Sequence, residues 1–332
     1  MRIVITGVGG YVGPSIVSAL RSAYPGAEIV GIDTGFFLAQ IDEKGPLPEV
    51  ELDYLIFKDV RDVDASDFAG ASHVVHLAAL SNDPMGDRFA ALTEEINQTT
   101  SVRIAALARR AGANSFVFAS SASVYGAGSD IPRAENNELA PQTAYARSKI
   151  GTERALVELA QEGLSVTCLR FSTACGWSPR VRLDLVLNDF VASALTTGTI
   201  EVLSDGTPWR PLIHVRDMAR AVEWIISSGR EEFDSYVVVN VGCEEWNFQV
   251  RDLAWSVART LGDVRMSIND SAQPDTRSYR VDFGLWRALA PEHQPIESLE
   301  GSILELATHL GKLPDLDAEF RSSSRVRLQR LQ

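Results

Sequence analysis

The sequence predicts an α/β chain built on a doubly wound parallel sheet, with a smaller mixed α/β lobe after it. Three observations carry that prediction. Apolar runs without polar alternation recur between helical stretches up to about Phe171, as expected of strands buried on both faces of a parallel sheet. A glycine-rich turn joins the first run to the first helical stretch. Beyond Phe171 the alternation loosens into helices interrupted by short strands and Pro/Gly turns.

Arg2–Thr6 is a β-branched run, and Tyr11–Ala23 carries apolar residues at helical spacing. Glu28–Ile32 and Tyr54–Phe57 read as the next strands, and His73–Ala79 as an apolar strand ending in small residues. Arg88–Gly112 predicts one long helix stopped by Gly112. Ser115–Ser120 is a strand, Thr143–Gln161 a helix and Leu164–Phe171 a strand. The later helices are predicted over Leu183–Thr196, Arg216–Ser227 and Val250–Leu261. This divides the chain into residues 1–171, a partly interleaved lobe over 172–320, and a basic, Ser-rich tail over 321–332 that reads as a surface appendage. No internal repeat or low-complexity linker interrupts it.

The chain has 332 residues, 45% of them hydrophobic, and a formal net charge of −13. That is enough to bury a large core and argues against disorder. The acidic balance excludes nucleic acid and anionic lipid as bulk partners, although a few arginines can still line one pocket. Cys168, Cys175 and Cys243 match no zinc spacing and sit in apolar or Gly-containing stretches. They predict buried thiols in a reducing cytoplasm, with no metal site. No run approaches the roughly 20 apolar residues of a membrane span, and a strand beginning at Arg2 leaves no signal peptide.

Gly7, Gly10 and Gly13 follow the first strand and open the first helix. Glycines there allow a tight turn and a close approach of phosphate to the backbone around Tyr11 and Val12, with pyrophosphate on the free N–H groups of the helix. The spacing is GxxGxxG rather than the simplest GxGxxG. Pro14 falls in the first helical turn, where its missing N–H costs little. Asp33 ends the second strand 20 residues after Gly13. An acid at that place bonds the ribose hydroxyls of NAD and repels the extra phosphate of NADP. These residues predict a Rossmann-type NAD site. Asp59 and Val60 follow the third strand, where an adenine edge would lie.

Tyr145 and Lys149 stand four apart at the start of a helix and so share a face. A neighbouring ammonium stabilises phenolate, which predicts a lowered tyrosine pKa. Such a tyrosine can take a proton from a hydroxyl while hydride leaves the same carbon for NAD. Ser120-Ser121-Ala122-Ser123-Val124-Tyr125-Gly126 ends the preceding strand, at the carboxyl edge where such sheets bind ligands. A serine there can hold the substrate oxygen; Ser120, Ser121 and Ser123 are the candidates.

On these residues the sequence resembles the extended short-chain dehydrogenases/reductases, NAD-dependent epimerases and dehydratases such as UDP-glucose 4-epimerase. The likeness spans nearly the whole chain. It rests on Thr6-Gly7-Val8-Gly9-Gly10-Tyr11-Val12-Gly13, on His76-Leu77-Ala78-Ala79, on Ser121 with Val124-Tyr125-Gly126, and on Tyr145-Ala146-Arg147-Ser148-Lys149. The resemblance implies Ser121, Tyr145 and Lys149 as a catalytic triad. It implies Leu77, Ala78 and Ala79 beside the cofactor, and Asn97 near the active-site backbone. The stretch from Arg170 to Phe190 is similar to a subgroup that includes GDP-heptose 4-dehydrogenases. By that likeness a nucleotide-diphosphate sugar is the substrate, touched by Ser121, Ser123, Thr173, Asn188, Arg210, Asp275 and Arg277. Arg210 and Arg277 have the chemistry for bidentate bonds to phosphate. His214 reads as a structural strand residue. Family 4,6-dehydratases place Asp-Glu directly after the Ser/Thr of the triad; here Ala122 and Ser123 stand there, which disfavours elimination. The expected activity is a nucleotide-sugar 4-epimerase. The alternatives are a C4 dehydrogenase or 4-ketoreductase on a GDP- or dTDP-sugar and, from another class, a non-catalytic NAD-binding sensor. Family members pair two long helices across a dimer interface, so a homodimer is expected.

Overall fold

The structure is a computed structural model that describes residues 1–38, 40, 47–126, 131–228, 235–269, 271–272 and 277–330. In the first half, β1 (Arg2–Thr6), α1 (Gly13–Ala23), β2 (Glu28–Asp33), β3 (Tyr54–Phe57) and β4 (His73–His76) lead to α2 (Asp83–Arg88), α3 (Ala90–Glu94) and α4 (Ser101–Arg110). Next come β5 (Ser115–Ser121), α5 (Ala144–Gln161), β6 (Ser165–Phe171), β7 (Thr173–Cys175), α6 (Val186–Thr197), β8 (Thr199–Val202) and β9 (Trp209–His214). Then follow α7 (Val215–Ser227), β10 (Tyr236–Val241), β11 (Asn247–Gln249), α8 (Val250–Leu261), β12 (Arg265–Ile268), α9 (Gly284–Leu289), α10 (Leu299–Leu310) and α11 (Arg327–Arg330).

Seven strands pair in the order β10-β6-β5-β4-β1-β2-β3, all parallel. Ile3, Ile5, Ile16, Val17, Leu20, Ala219 and Val222 join one core on the α1/α7 side. Val4, Val74, Ile104, Ala105, Leu156 and Ala160 join another on the α4/α5 side. Both faces are dry, which is why the strands read as unbroken apolar runs. The edge strand β10 comes from residues 236–241, so the chain returns to the first sheet after building much of the second lobe. The smaller sheets are β11-β9-β7 and β12-β8. Strand order reverses between β1 and β4, and such a reversal opens a crevice at the carboxyl edge.

Three expectations need correction. The single helix over Arg88–Gly112 is instead α2, α3, a π-helical turn over Glu95–Thr100 and α4. The helical run starts earlier because Asn82 caps α2, its side chain accepting from the Met85 N–H at 2.8 Å, with Pro84 in the first turn. It breaks at Phe89, whose φ of −120° and ψ of 47° are not helical. The strand expected over His73–Ala79 stops at His76, and Leu77 and Ala78 beyond it form a crest against the Gly7 turn. The C-terminal tail is no appendage. Arg325 and Arg327 are buried. The Leu183 N–H donates to the Arg325 carbonyl at 3.0 Å, and the Arg327 guanidinium lies 3.8 Å from the Phe37 ring centroid.

Candidate active site

The crevice is made by close approach. Gly7 has φ +73°, and a Cβ there would come within 2.6 Å of the Ala78 nitrogen. The glycine turn therefore lies against Leu77 and Ala78 as no other residue would permit. A Cβ on Gly13 would meet the Val8 carbonyl oxygen at 1.9 Å, while at Gly10 it would sit 3.2 Å from the Gly7 oxygen. Val12 caps α1 without a side-chain hydrogen bond, so the N–H groups of the first turn face the crevice without a side-chain acceptor, as an anion site requires. Asp33 holds the turn as well as standing where a ribose would lie: Oδ2 accepts from the Gly9 N–H at 2.9 Å and Oδ1 from the Gly35 N–H at 2.8 Å. Each oxygen keeps a lone pair for a further donor. These residues fit NAD.

Two expected cofactor contacts are engaged with protein. The Tyr11 hydroxyl donates to the Gly176 carbonyl at 2.6 Å, so its side chain ties α1 to the second lobe and only its backbone is left for a ligand. Asp59 pairs with Arg61 at 2.9 Å, which holds its carboxyl below the usual range; Val60 beside it is buried in the core. Ala79 lies part-buried on the crest after β4 with Leu77 and Ala78.

Ser121, at the end of β5, stands close enough to Tyr145 for its hydroxyl to favour the phenolate. Its hydroxyl also accepts from the Ser123 N–H at 3.1 Å. The Lys149 ammonium lies 5.5 Å from the Tyr145 ring centroid and donates to the Ala119 carbonyl at 2.7 Å. The three predicted triad residues thus converge. The expected lowering of the tyrosine does not hold in this state: burial pushes Tyr145 up to about 12, Ser121 and Arg182 oppose it, and Asp83 adds to it. Lys149 moves the other way, burial pushing it down to about 7. Ser120 turns away from the crevice and donates to Glu153 at 2.5 Å. Ser123 Oγ is buried with no hydrogen-bond partner among the described residues.

Residues 3–242 match the NAD dependent epimerase/dehydratase family. The chain belongs to this family. It is therefore an enzyme of NAD-dependent chemistry. The UDP-glucose 4-epimerase of Azospirillum brasilense is 30% identical over 241 residues, 66% of each chain. The dTDP-glucose 4,6-dehydratase of Streptomyces niveus is 24% identical over 314 residues, 90% of this chain and 92% of its own. The solved structure of MoeE5 in complex with UDP-glucuronic acid and NAD is 25% identical and superposes with a TM-score of 0.80, covering 94% of this chain and 99% of its own.

This epimerase/dehydratase chain completes its site with parts the sequence reading missed. Helix α2 packs Gly86 on the start of α5, where a Cβ would come within 2.8 Å of the Tyr145 Cβ. Asp83 accepts from the Thr143 hydroxyl at the cap of α5 and lies 3.5 Å from Arg277. Tyr279 is buried within electrostatic reach of Arg210, Asp83, Tyr145 and Arg277, and burial pushes its hydroxyl above the usual range. Arg182 forms a fork with Asp184 at 3.0 and 2.7 Å and donates to Ser81 at 3.0 Å. Asn97, by contrast, was expected near the active-site backbone: inside the π-turn it accepts from the Leu80 N–H at 2.8 Å and donates to its carbonyl at 2.9 Å, which clamps the crest. The signal for α2 was present in Asn82-Asp83-Pro84; nothing in the local sequence marks Tyr279 or Gly86.

Of the expected substrate residues, Arg210 and Arg277 meet: the Arg210 guanidinium donates to the Trp209 and Arg277 carbonyls. Thr173 lies part-buried in β7. Asn188 departs from expectation. It is fully buried, donates to the Tyr11 hydroxyl and the Arg182 carbonyl at 3.0 and 2.8 Å, and accepts from the Gly176 N–H at 3.1 Å. Both amide protons are used, so it shapes the pocket wall rather than presenting a donor. Asp275 lies outside the described residues. His214 is structural, as expected: its Nδ1 accepts from the Arg216 N–H at 3.1 Å at the start of α7. Among the described residues no His/Cys/Asp/Glu group could hold a metal ion, and no helix is long and apolar enough to cross a membrane.

Proposed function

We propose that this chain is a nucleotide-sugar 4-epimerase that takes a UDP-, GDP- or dTDP-linked sugar. The observation that carries the reading is the chemistry around Tyr145. Ser121 stands beside it, Ala122 and Ser123 follow with no carboxylate, and the described acids nearby are already engaged, Asp83 with Thr143 and Arg277, Asp87 with the Ala144 N–H, Asp184 with Arg182. One group is therefore poised to move a proton at one oxygen, and among the described residues no second acid stands ready for elimination. Bound NAD supplies a hydride acceptor, and later donor, together with a positively charged ring. Ser121 holds the C4 hydroxyl. Tyr145, whose phenolate a positively charged cofactor ring would favour, would take the C4 hydroxyl proton during oxidation and return it during re-reduction. Arg210 and Arg277 hold the diphosphate, with Thr173 and Ser123 lining the sugar end. The 4-epimerases among the relatives support the reading.

A C4 dehydrogenase or 4-ketoreductase remains the second reading, favoured by the likeness of the 170–190 stretch to GDP-heptose 4-dehydrogenases. Purified protein incubated with UDP-, GDP- and dTDP-sugars separates the two by mass spectrometry and proton NMR. The expected result is a C4 epimer at equilibrium without net NADH. Stoichiometric NADH with a 4-keto sugar establishes the second reading instead, and a 4-keto-6-deoxy product overturns both. The reading includes a homodimer joined through α4 and α5, where part-exposed Ala106, Gly151 and Ala155 lie among exposed Arg103, Arg147 and Glu158. A solution mass of one chain by light scattering would refute that. Free Cys168 and Cys175, buried as expected, and Cys243, only half-buried against expectation, suit the cytoplasm.

A further inference from the structure

Lys149 stands at the centre of a polar layer that the reaction as described does not use. Its ammonium is buried, sits 4.6 Å from the Phe118 ring centroid and bonds one carbonyl, that of Ala119. One turn later on the same face of α5 is Glu153, also buried. The Glu153 carboxylate is fixed from three directions: Ser120 donates to Oε1 at 2.5 Å, and the Arg170 fork donates to Oε1 and Oε2 at 3.0 and 2.7 Å. Arg170 is in turn held by the Tyr125 hydroxyl at 2.9 Å and the Glu135 carbonyl at 3.1 Å, and Tyr125 donates to Asn240 at 2.7 Å. Strands β5 and β6 thus hold one carboxylate of α5 behind the triad, and β10 braces the far end of the network through Asn240.

A buried ion pair is seldom a net source of stability, so its place beside a buried amine asks for another reason. We propose that Glu153, locked by Arg170 and Ser120, is a positioning residue that keeps the Lys149 ammonium charged and so sets the alkaline limit of the reaction. This rests on the triad reading above. The groups facing Lys149 can be enumerated. Tyr145 and Glu153 share α5, His76 lies on β4, the Phe118 ring, the Ala119 carbonyl and Ser120 on β5, and Cys168 and Arg170 on β6. His76 is itself held neutral by burial, and burial pushes the Cys168 thiol up. Glu153 is therefore the anion that supports the ammonium. Against it stands burial, which brings Lys149 down to about 7. Without the carboxylate, burial would act on the amine with less opposition and lower it further.

The experiment is the pH profile of kcat/KM for the holoenzyme, measured on the wild type, Glu153→Gln, Arg170→Met and the double variant, with tightly bound NAD and circular dichroism checked on each. Gln keeps an acceptor for Ser120 but removes the charge, so the alkaline limb should move down by about one pH unit or more. Arg170→Met leaves the carboxylate unopposed, so its limb should move up. A merely structural role predicts lower activity in both variants with limbs unmoved, and that result overturns the proposal. So do shifts in the same direction. If Glu153→Gln does not fold because a lone buried guanidinium remains, the double variant carries no lone charge and should move the limb down by less; an unmoved limb there also overturns it. Lys149→Met is assayed beside them. Normal turnover in that variant means the triad reading has failed, whereas lost turnover with an unmoved Glu153→Gln limb removes the Glu153 role alone.

Discussion

The Asp83 carboxylate accepts a 2.7 Å hydrogen bond from the hydroxyl of Thr143, the residue that caps α5. That bond fastens α2 to the first turn of the helix that carries Tyr145 and Lys149. Gly86 then lets the two helices touch at Tyr145 itself. The position of the hydroxyl proposed to react is thus fixed from outside its own helix, by residues to which the proposal gives no proton to move.

Tyr145→Phe should separate chemistry from binding. The substitution keeps the ring and its packing but removes the proton acceptor. General acid–base catalysis contributes about 10²–10⁴-fold, so turnover should fall by roughly that factor while NAD still binds. Steady-state kinetics and cofactor titration on the same preparation check both halves; normal turnover ends the triad assignment.

Arg210→Ala should act mainly on KM. A diphosphate does not change during oxidation at a sugar carbon, so its contacts bind ground and transition states alike. A hydrogen bond to a charged group contributes about 1.5–3 kcal/mol, equivalent to a KM roughly ten- to a hundredfold higher. Because Arg210 also holds the Trp209 and Arg277 carbonyls, kcat should fall modestly with it. An unchanged KM would place the diphosphate elsewhere.

Asp33→Asn should erode cofactor choice. Asn keeps one acceptor oxygen for the turn but loses the charge that repels the 2′-phosphate of NADP. The preference for NAD should drop by about tenfold, on the order of the energy of two charges several ångströms apart near a protein surface. Equilibrium binding of NAD and NADP to both proteins measures it. Equal or tighter NADP binding by the wild type sinks the role given to Asp33.

Most of the fold was legible because parallel strands buried on both faces leave an unmistakable apolar run, and because glycine turns have a fixed place at the head of such sheets. The places of Gly7, Gly13, Asp33, Ser121, Tyr145 and Lys149 were readable for the same reason: each stands at a position set by local chain geometry, and the roles proposed for them rest on that placement. What escaped was set by distant contacts. Tyr279 reaches the site from a segment whose sequence carries no periodicity, and Gly86 matters only because α5 lies against it. The amide of Asn188 looked free for a ligand until Tyr11 and the Arg182 carbonyl, from two other segments, took both its protons. The tail misled because arginine in a Ser-rich stretch ordinarily means solvent, and its burial depends on Phe37, far away in sequence.

His76 makes stability depend on pH. It lies between Thr6 and Ser101, 2.6 and 2.8 Å from their hydroxyls. Burial, aided by the Lys149 charge, lowers its pKa from 6.5 to about 3. The unfolded chain therefore binds a proton between those values and the native one does not, so stability from this group is complete above pH 6.5 and declines as pH falls toward 3. The slope from one proton is at most about 1.4 kcal/mol per pH unit. Urea midpoints at pH 7.5 and pH 5 should differ in the wild type and differ less in His76→Gln. A variant with an undiminished difference would show that other groups dominate.

Arg327 should matter for both stability and cofactor retention. Its guanidinium covers the Phe37 ring and donates to Gln40 at 2.9 Å, and Gln40 donates to the Val181 carbonyl at 2.7 Å. The tail is thereby joined to the segment that leaves Asp33. The same segment places Leu38 where a Cβ on Gly9 would meet it at 2.7 Å, so it lies directly over the glycine turn. Loss of a stacked, hydrogen-bonded guanidinium should cost about 1–3 kcal/mol, read as a lower urea midpoint for Arg327→Ala. Because the freed segment flanks the proposed ribose site, NAD should also dissociate several-fold faster, read by the decay of bound NADH fluorescence on dilution. A lower midpoint with an unchanged dissociation rate would confine the tail to stability. An unchanged midpoint would mean that the packing of Arg327 on Phe37 adds nothing beyond what water offers the same groups.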